Sequence, residues 1–375
     1  MSAAGGAGAA AGAPASPLPT LLVVPTGIGC AVGGYAGDAL PAARLLAAAS
    51  GCLITHPNVM NGASLYWSDP RIHYVEGSSL DRFAAGELAL RPVRRQRIGL
   101  LLDAGIEEEL RWRHIQVADG CRATLGLEIG PVVITDEPLD VQLSLGASGV
   151  SWGELGRPEA LLRAGRQLQA AGATAIAVVA RFPDDPDSAA LAAYRQGSGV
   201  DALAGAEAVI SHLLSLELGL PCAHAPALGP LALDVQLDPR AAGEELGHTF
   251  LACVLVGLSR APDLISTAAS GSLGLACQPA DLAIDAAGAI VAPAGALGGA
   301  AVLACAERRI PVIAVENPCL LSVTAAALDL EVIHAASYGE AAGLLLALRE
   351  GISPLALQRP LASLRHGMNG SLPRP

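Results

Sequence analysis

A chain of 375 residues is too long for one small core, which leaves either two lobes or one large α/β domain. A formal charge of −12 and a pI of about 5.1 exclude a broad nucleic-acid footprint and disfavour adhesion to an anionic membrane surface. With 52% hydrophobic but only 3% aromatic residues, the core has to be built from Ala, Val, Leu and Ile.

The first 18 residues are low-complexity Ala and Gly without a basic residue, so they read as a disordered tail rather than a targeting peptide. After them, short apolar runs alternate with helical stretches, the signature of an α/β fold. Strands are expected at 21–24, 52–55, 72–75, 98–102, 132–135, 175–179, 289–292, 312–315 and 331–334. Helices are expected at 40–49, 107–125, 158–171, 203–218, 240–246, 299–308 and 339–349. The most apolar stretch, 286–306, carries a Pro and several Gly, so it reads as buried strand, glycine turn and buried helix rather than as a membrane span. Near 219–239 four prolines interrupt the pattern. A boundary placed there gives an N-terminal lobe over 19–220 and a C-terminal lobe over 221–360, with 361–375 a loose tail. The expected fold is a Rossmann-like α/β architecture with mostly parallel sheets and helices on both faces. The high mean hydropathy of +0.47 suits strands buried on both faces, or a homo-oligomer interface.

Eight cysteines are spread singly, with no CxxC pair, which suits a reducing cytoplasm. The glycine-rich run after the first strand, "VVPTGIGCAVGGYAGDALPAARLL", partly matches a dinucleotide fingerprint. Asp38 is a good cap for the following helix, which leaves a loop too long for the tight turn that the fingerprint needs. The next strand ends in His56 rather than an acid, so NAD(P) binding is disfavoured. The loop can still offer backbone amides at Thr26, Gly27 and Gly29 to a carboxylate or phosphate. A similar turn, "IVAPAGALGGAA", places Gly295 and Gly298 in the same way.

Several apolar runs end in polar residues: His56 and Asn58, then Asp136, then Arg181 and Asp184. In parallel sheets, ligands bind outside the carboxyl ends of the strands, although strand-end polar groups also serve as caps and turns. Glu207 and Ser211 are four residues apart on one helix and share a face, which suits a site wall or an ordinary polar surface. His212, Cys222 and His224 could ligate zinc, but H-x9-C-x-H matches no strong metal signature.

The phrases "LITHPNVMNGASLYW", "VEGSSLDRF", "VARFPDD", "YRQGSGVDALAGAEAVISH" and "PCAHAPAL", in this order after the glycine run, resemble a cyanobacterial and plastid-lineage family of unknown function. The resemblance spans about 21–354, implies a single cytosolic module and brings no catalytic residue with it. The residues themselves support an enzyme acting on a small polar or anionic metabolite at a strand-end cleft. His56, Asp136, Asp184 and Glu207 are its acid–base candidates. Thr26, Gly27, Gly29, Asn58, Arg181, Gly295 and Gly298 are its binding candidates. The alternatives are a metabolite-binding sensor or assembly protein, and a zinc hydrolase.

Overall fold

The computed structural model describes residues 16–65, 68–145, 151–183, 185, 188–245, 249–268, 277–320, 322–361, 363 and 364. Most of the two expected tails, the end of the helix expected over 240–246, and Asp184 lie outside the described residues.

In chain order, β1 (Thr20–Leu22) leads through the glycine run to α1 (Leu40–Ser50), β2 (Leu53–Thr55), α2 (Pro57–Met60), β3 (Ile72–Tyr74) and α3 (Gly77–Ala84). Next come β4 (Leu88–Arg91), β5 (Ile98–Leu102), α4 (Glu108–Leu125), β6 (Ile129–Ile134), β7 (Val141–Leu145), β8 (Ser151–Leu155) and α5 (Pro158–Ala170). The middle of the chain continues with β9 (Ala175–Arg181), α6 (Ala189–Arg195), α7 (Ala204–Leu218) and β10 (Cys222–Ala227). The remainder is α8 (Pro239–Glu245), α9 (Leu251–Leu258), β11 (Asp263–Ser266), β12 (Ala289–Pro293), α10 (Ala300–Glu307), β13 (Val312–Val315), α11 (Ala325–Leu328), β14 (Ile333–Ala335) and α12 (Tyr338–Arg349).

Two parallel sheets organise these elements. The larger has six strands in the order β14-β13-β12-β1-β2-β3, and the second has four in the order β10-β9-β5-β6. The apolar runs Leu21–Leu22, Ile290–Val291 and Ile313–Ala314 are buried on both faces, as strands covered by helices on each side must be. On one face of the six-stranded sheet, Leu80 and Phe83 of α3 and Ala301, Val302 and Cys305 of α10 build a core. A second core joins Leu22, Leu53 and Val291 of this sheet to Leu100, Val179 and Ala225 of the other. The helix α9, "LACVLVGL", belongs to that core through Leu251, Val254, Leu255 and Leu258. An all-apolar helix is stable there because elements of both sheets surround it.

The six-stranded sheet takes three strands from the start of the chain and three from its end, and the four-stranded sheet comes from the middle. A division at residue 220 therefore does not follow the sheets, because β1 seats between β12 and β2. The chain changes winding direction between β1 and β12, so this sheet has its switch point where the two similar glycine turns leave neighbouring strands. Among the described residues, no helix is long and apolar enough to cross a membrane.

Candidate functional site

The carboxyl ends of both sheets open onto one cavity of about 650 Å3. Its wall includes Thr26 after β1, His56 and Asn58 after β2, Glu76 before α3, Pro183 after β9 and Pro226 on β10. The first turns of α7, the end of α8 and the start of α9 complete it.

The glycine loop over 23–39 is held by side chains from the next loop. His56 Nε2 accepts the Val24 amide at 3.0 Å, which places the ring proton on Nδ1. Burial pushes this imidazole down to about 4, so it is neutral at ordinary pH. Asn58 Nδ2 donates to Gly33 O at 2.8 Å, and Asn58 O accepts from Gly37 N at 2.7 Å. Asp38 does not cap α1. Its Oδ1 accepts the Gly33 amide within the loop, and the cap position is Ala39 with no side-chain bond. The amides of Ala31, Val32, Gly33 and Ala36 are also used inside the protein, by Pro318 O, Asn317 Oδ1, Asp38 and Glu244 respectively. These donors thus hold the loop in place rather than facing a ligand.

The chemistry gathers on the opposite wall. Glu207 and Ser211, one turn apart on α7, both reach His224 of β10. Ser211 Oγ lies 3.1 Å from His224 Nδ1, and Glu207 Oε2 lies 3.7 Å from Nε2. Asp201, at the entry to α7, accepts the Leu203 amide at 2.8 Å. Glu244 of α8 accepts the Tyr194 hydroxyl at 2.6 Å. Behind that contact, Tyr194 stacks on Tyr35 at 4.4 Å between centroids, and the Arg240 guanidinium lies 4.5 Å over Tyr35. This column fixes the phenol that faces Glu244.

Two of these carboxyls keep their protons to higher pH than ordinary carboxylic acids do. Burial, reinforced by the charge of Glu207, pushes Asp201 up to about 7. Burial, with the charges of Asp201 and Glu207, pushes Glu244 well above the usual carboxylate range. The acidic wall also includes Glu76, but that group is occupied: it caps α3 by accepting the Ser78 and Ser79 amides at 3.0 Å each. Arg195 is the one arginine on the wall among the described residues, and Glu245 holds it through contacts of 2.9 and 3.2 Å.

Of the residues singled out in the sequence, the structure brings Thr26, His56, Asn58, Glu207, His212 and His224 to this cavity. Others lie elsewhere. Arg181 turns from the end of β9 to Glu107, at 2.9 Å, because the following carbonyls and that exposed carboxylate satisfy its guanidinium. Asp136 pairs with Arg163 at 2.8 Å on an exposed surface. Gly27 and Gly29 take left-handed φ values of 70° and 60° and pack on Ser151 and Leu320. Gly295 O accepts the Val323 amide at 2.7 Å, and Gly298 packs on the Val323 side chain. Cys222 is buried, with its thiol pushed up to about 12 by desolvation, and its Sγ contacts Leu220 O. Among the described residues, no three His, Cys, Asp or Glu side chains are grouped to hold a metal ion. Sequence reasoning singled out neither Glu244 nor Asp201 as a site residue.

The sheets, their winding and the strand-end cavity define a Rossmann-like α/β protein with an acid-lined pocket. The chain belongs to the family described as "Protein of unknown function (DUF3326)", whose profile matches residues 19–358. It is 56% identical over 355 residues to an uncharacterized lipoprotein of Synechococcus sp., covering 94% of this chain and 97% of that protein. No solved structure matches the chain.

Proposed function

We propose that the cavity is an active site at which Asp201, Glu207, Glu244 and His224 carry out acid–base chemistry on a small polar molecule. One observation carries this reading: two carboxyls whose protons are held to unusually high pH share one cavity with the Glu207–His224 pair. Titratable groups whose environments drive them apart can divide the roles of proton donor and proton acceptor. Protonated Glu244 and Asp201 are the donors, and His224, oriented by Ser211 and flanked by Glu207, is the acceptor. Neutral His56 offers its Nδ1 proton as a hydrogen-bond donor to the bound molecule.

The wall is acidic, and its arginine is already engaged, so hydroxyl- or amine-bearing substrates suit it better than anionic ones. The eight cysteines are all free, which supports a cytoplasmic setting. The Synechococcus relative is named a lipoprotein.

The test is turnover. The purified chain is incubated with a pool of polar metabolites, and substrate loss is followed by mass spectrometry. Loss of one compound that depends on Glu207 supports the enzyme. Retention of a compound without conversion points to a sensor instead.

A further inference from the structure

The glycine loop is joined to the loop after β13 by more than packing. Ala31 N donates to Pro318 O at 2.8 Å, and Leu320 N donates to Ile28 O at 3.0 Å. Asn317 grips Val32 from both sides, accepting its amide at 2.9 Å and donating to its carbonyl at 2.8 Å. Between these contacts, Cys30 and Cys319 meet with their sulfurs 3.0 Å apart, across a sequence separation of 289. We propose that Cys30 and Cys319 are a redox-active pair that closes reversibly into a disulfide and clamps the glycine loop, and with it one wall of the cavity.

Four backbone and side-chain bonds already hold the two segments in register. A sulfur–sulfur bond of about 2.05 Å needs only about 1 Å of further approach. The two sulfurs are unequal in the way thiol–disulfide exchange requires. Cys319 is half-buried and is held below the usual thiol range by the hydrogen bond from Cys30. Cys30 is buried and is pushed well above that range by the Cys319 contact and by desolvation. Cys319, the sulfur that an external disulfide can reach, is therefore the attacking thiolate, and buried Cys30 is the resolving thiol.

The oxidant is a low-molecular-weight disulfide of the glutathione class. Cys319 Sγ attacks one of its sulfurs, breaking that S–S bond and releasing one thiolate. The released thiolate takes the Cys30 proton. Cys30 Sγ then attacks Cys319 Sγ and expels the second thiolate, which is protonated from water. Two protein thiols are oxidised, and one small disulfide is reduced to two thiols. Thr26 and Ala36, on the same loop, line the cavity, so closure of the pair fixes their position. This inference stands apart from the acid–base reading and holds or fails without it.

The full chain is studied in a Cys277→Ser background, because Cys277 is exposed and could cross-link molecules. The protein is incubated with oxidised glutathione, its free thiols are alkylated, and its intact mass and disulfide-linked peptides are measured. The expected product has two fewer alkylatable thiols, a Cys30–Cys319 cross-linked peptide and no retained glutathione. Its melting temperature rises by roughly 5 °C or more, since the closed loop is long. Cys319→Ser should abolish all three changes. A protein that keeps both thiols, that keeps glutathione on Cys319, or that links a different pair overturns the proposal. Should the serine variants fold poorly, peptide mapping of the unsubstituted chain after the same oxidation decides the matter: the Cys30–Cys319 peptide supports the pair, and its absence overturns it.

Discussion

The Tyr194 hydroxyl donates to Glu244 Oε2 at 2.6 Å, and this bond ties α6 to α8 across one side of the cavity. It is the main contact that draws the Glu244 carboxyl back toward ionisation, against burial and the neighbouring charges of Asp201 and Glu207. Tyr194→Phe should therefore raise the Glu244 titration further and cost about 1–3 kcal/mol of stability, the usual penalty for orphaning a buried polar partner. Infrared spectroscopy of the protonated carboxyl band and urea unfolding measure the two effects. A variant as stable as the parent, with an unmoved carboxyl band, would show that the bond does not govern Glu244.

The buried acids give stability a pH dependence of known sign. Asp201 titrates at about 7, above its ordinary 3.8, so the fold keeps a proton that the unfolded chain has already released. Its contribution is complete at low pH and is lost as the pH rises toward 7. Asp38, pushed up to about 6 by burial, acts in the same sense. His56, pushed down to about 4, acts oppositely and adds stability as the pH rises from 4 to 6.5. Asp201→Asn keeps an acceptor for the Leu203 amide but cannot titrate. Its stability should decline less than the parent's between pH 4 and 7, by about 2–4 kcal/mol. Parallel curves from chemical denaturation across that range would contradict the assignment.

The glycine loop makes a steric prediction. Gly33 has a φ of 88°, and a Cβ there would lie 2.3 Å from Cγ1 of the fully buried Val24. Gly33→Ala should cost about 2–4 kcal/mol from backbone strain and overpacking together. Gly343, exposed inside α12 with open space around it, provides the contrast. Gly343→Ala should add about 0.5–1 kcal/mol. Thermal unfolding of both variants tests the pair.

Arg181 and Asp136 sit at strand ends but spend their charges on Glu107 and Arg163. Arg181→Gln and Asp136→Asn should leave ligand capture and turnover within about twofold of the parent. Surface ion pairs of this kind contribute roughly 0–1 kcal/mol, so neither variant should unfold. A tenfold loss of turnover in either one would bring that residue back into the site.

These contrasts mark what could be read from the sequence. The central strands were readable because burial on both faces demands unbroken apolar runs: 98–102 and 312–315 are expected and found as Ile98–Leu102 and Val312–Val315. The strand β10 was hidden because Pro226 within it and Pro221 just before it read as a break. It lies at a sheet edge, where Pro226 costs no ladder bond. Glu207 and Ser211 could be paired through helical spacing, but their common partner, His224, could not. The strand-end rule located the cavity without saying which way each side chain turns, so Arg181 was grouped with His56. Glu244 left no local signal, because its partners at the cavity, Tyr194 and the Ala36 amide, are distant in sequence. The joining of β1 to β12 links opposite ends of the chain and is set by tertiary packing.

The central claim is that the cavity performs acid–base chemistry, and Glu207 is the residue to test, since it contacts His224 and its charge raises both Asp201 and Glu244. The most direct measurement compares the parent chain with Glu207→Gln on the same pool of hydroxyl- and amine-bearing metabolites, by time-resolved mass spectrometry. The parent should consume a polar metabolite, and the variant, still folded, should do so at least a hundredfold more slowly. Equal consumption by both proteins, or none by the parent, would contradict it.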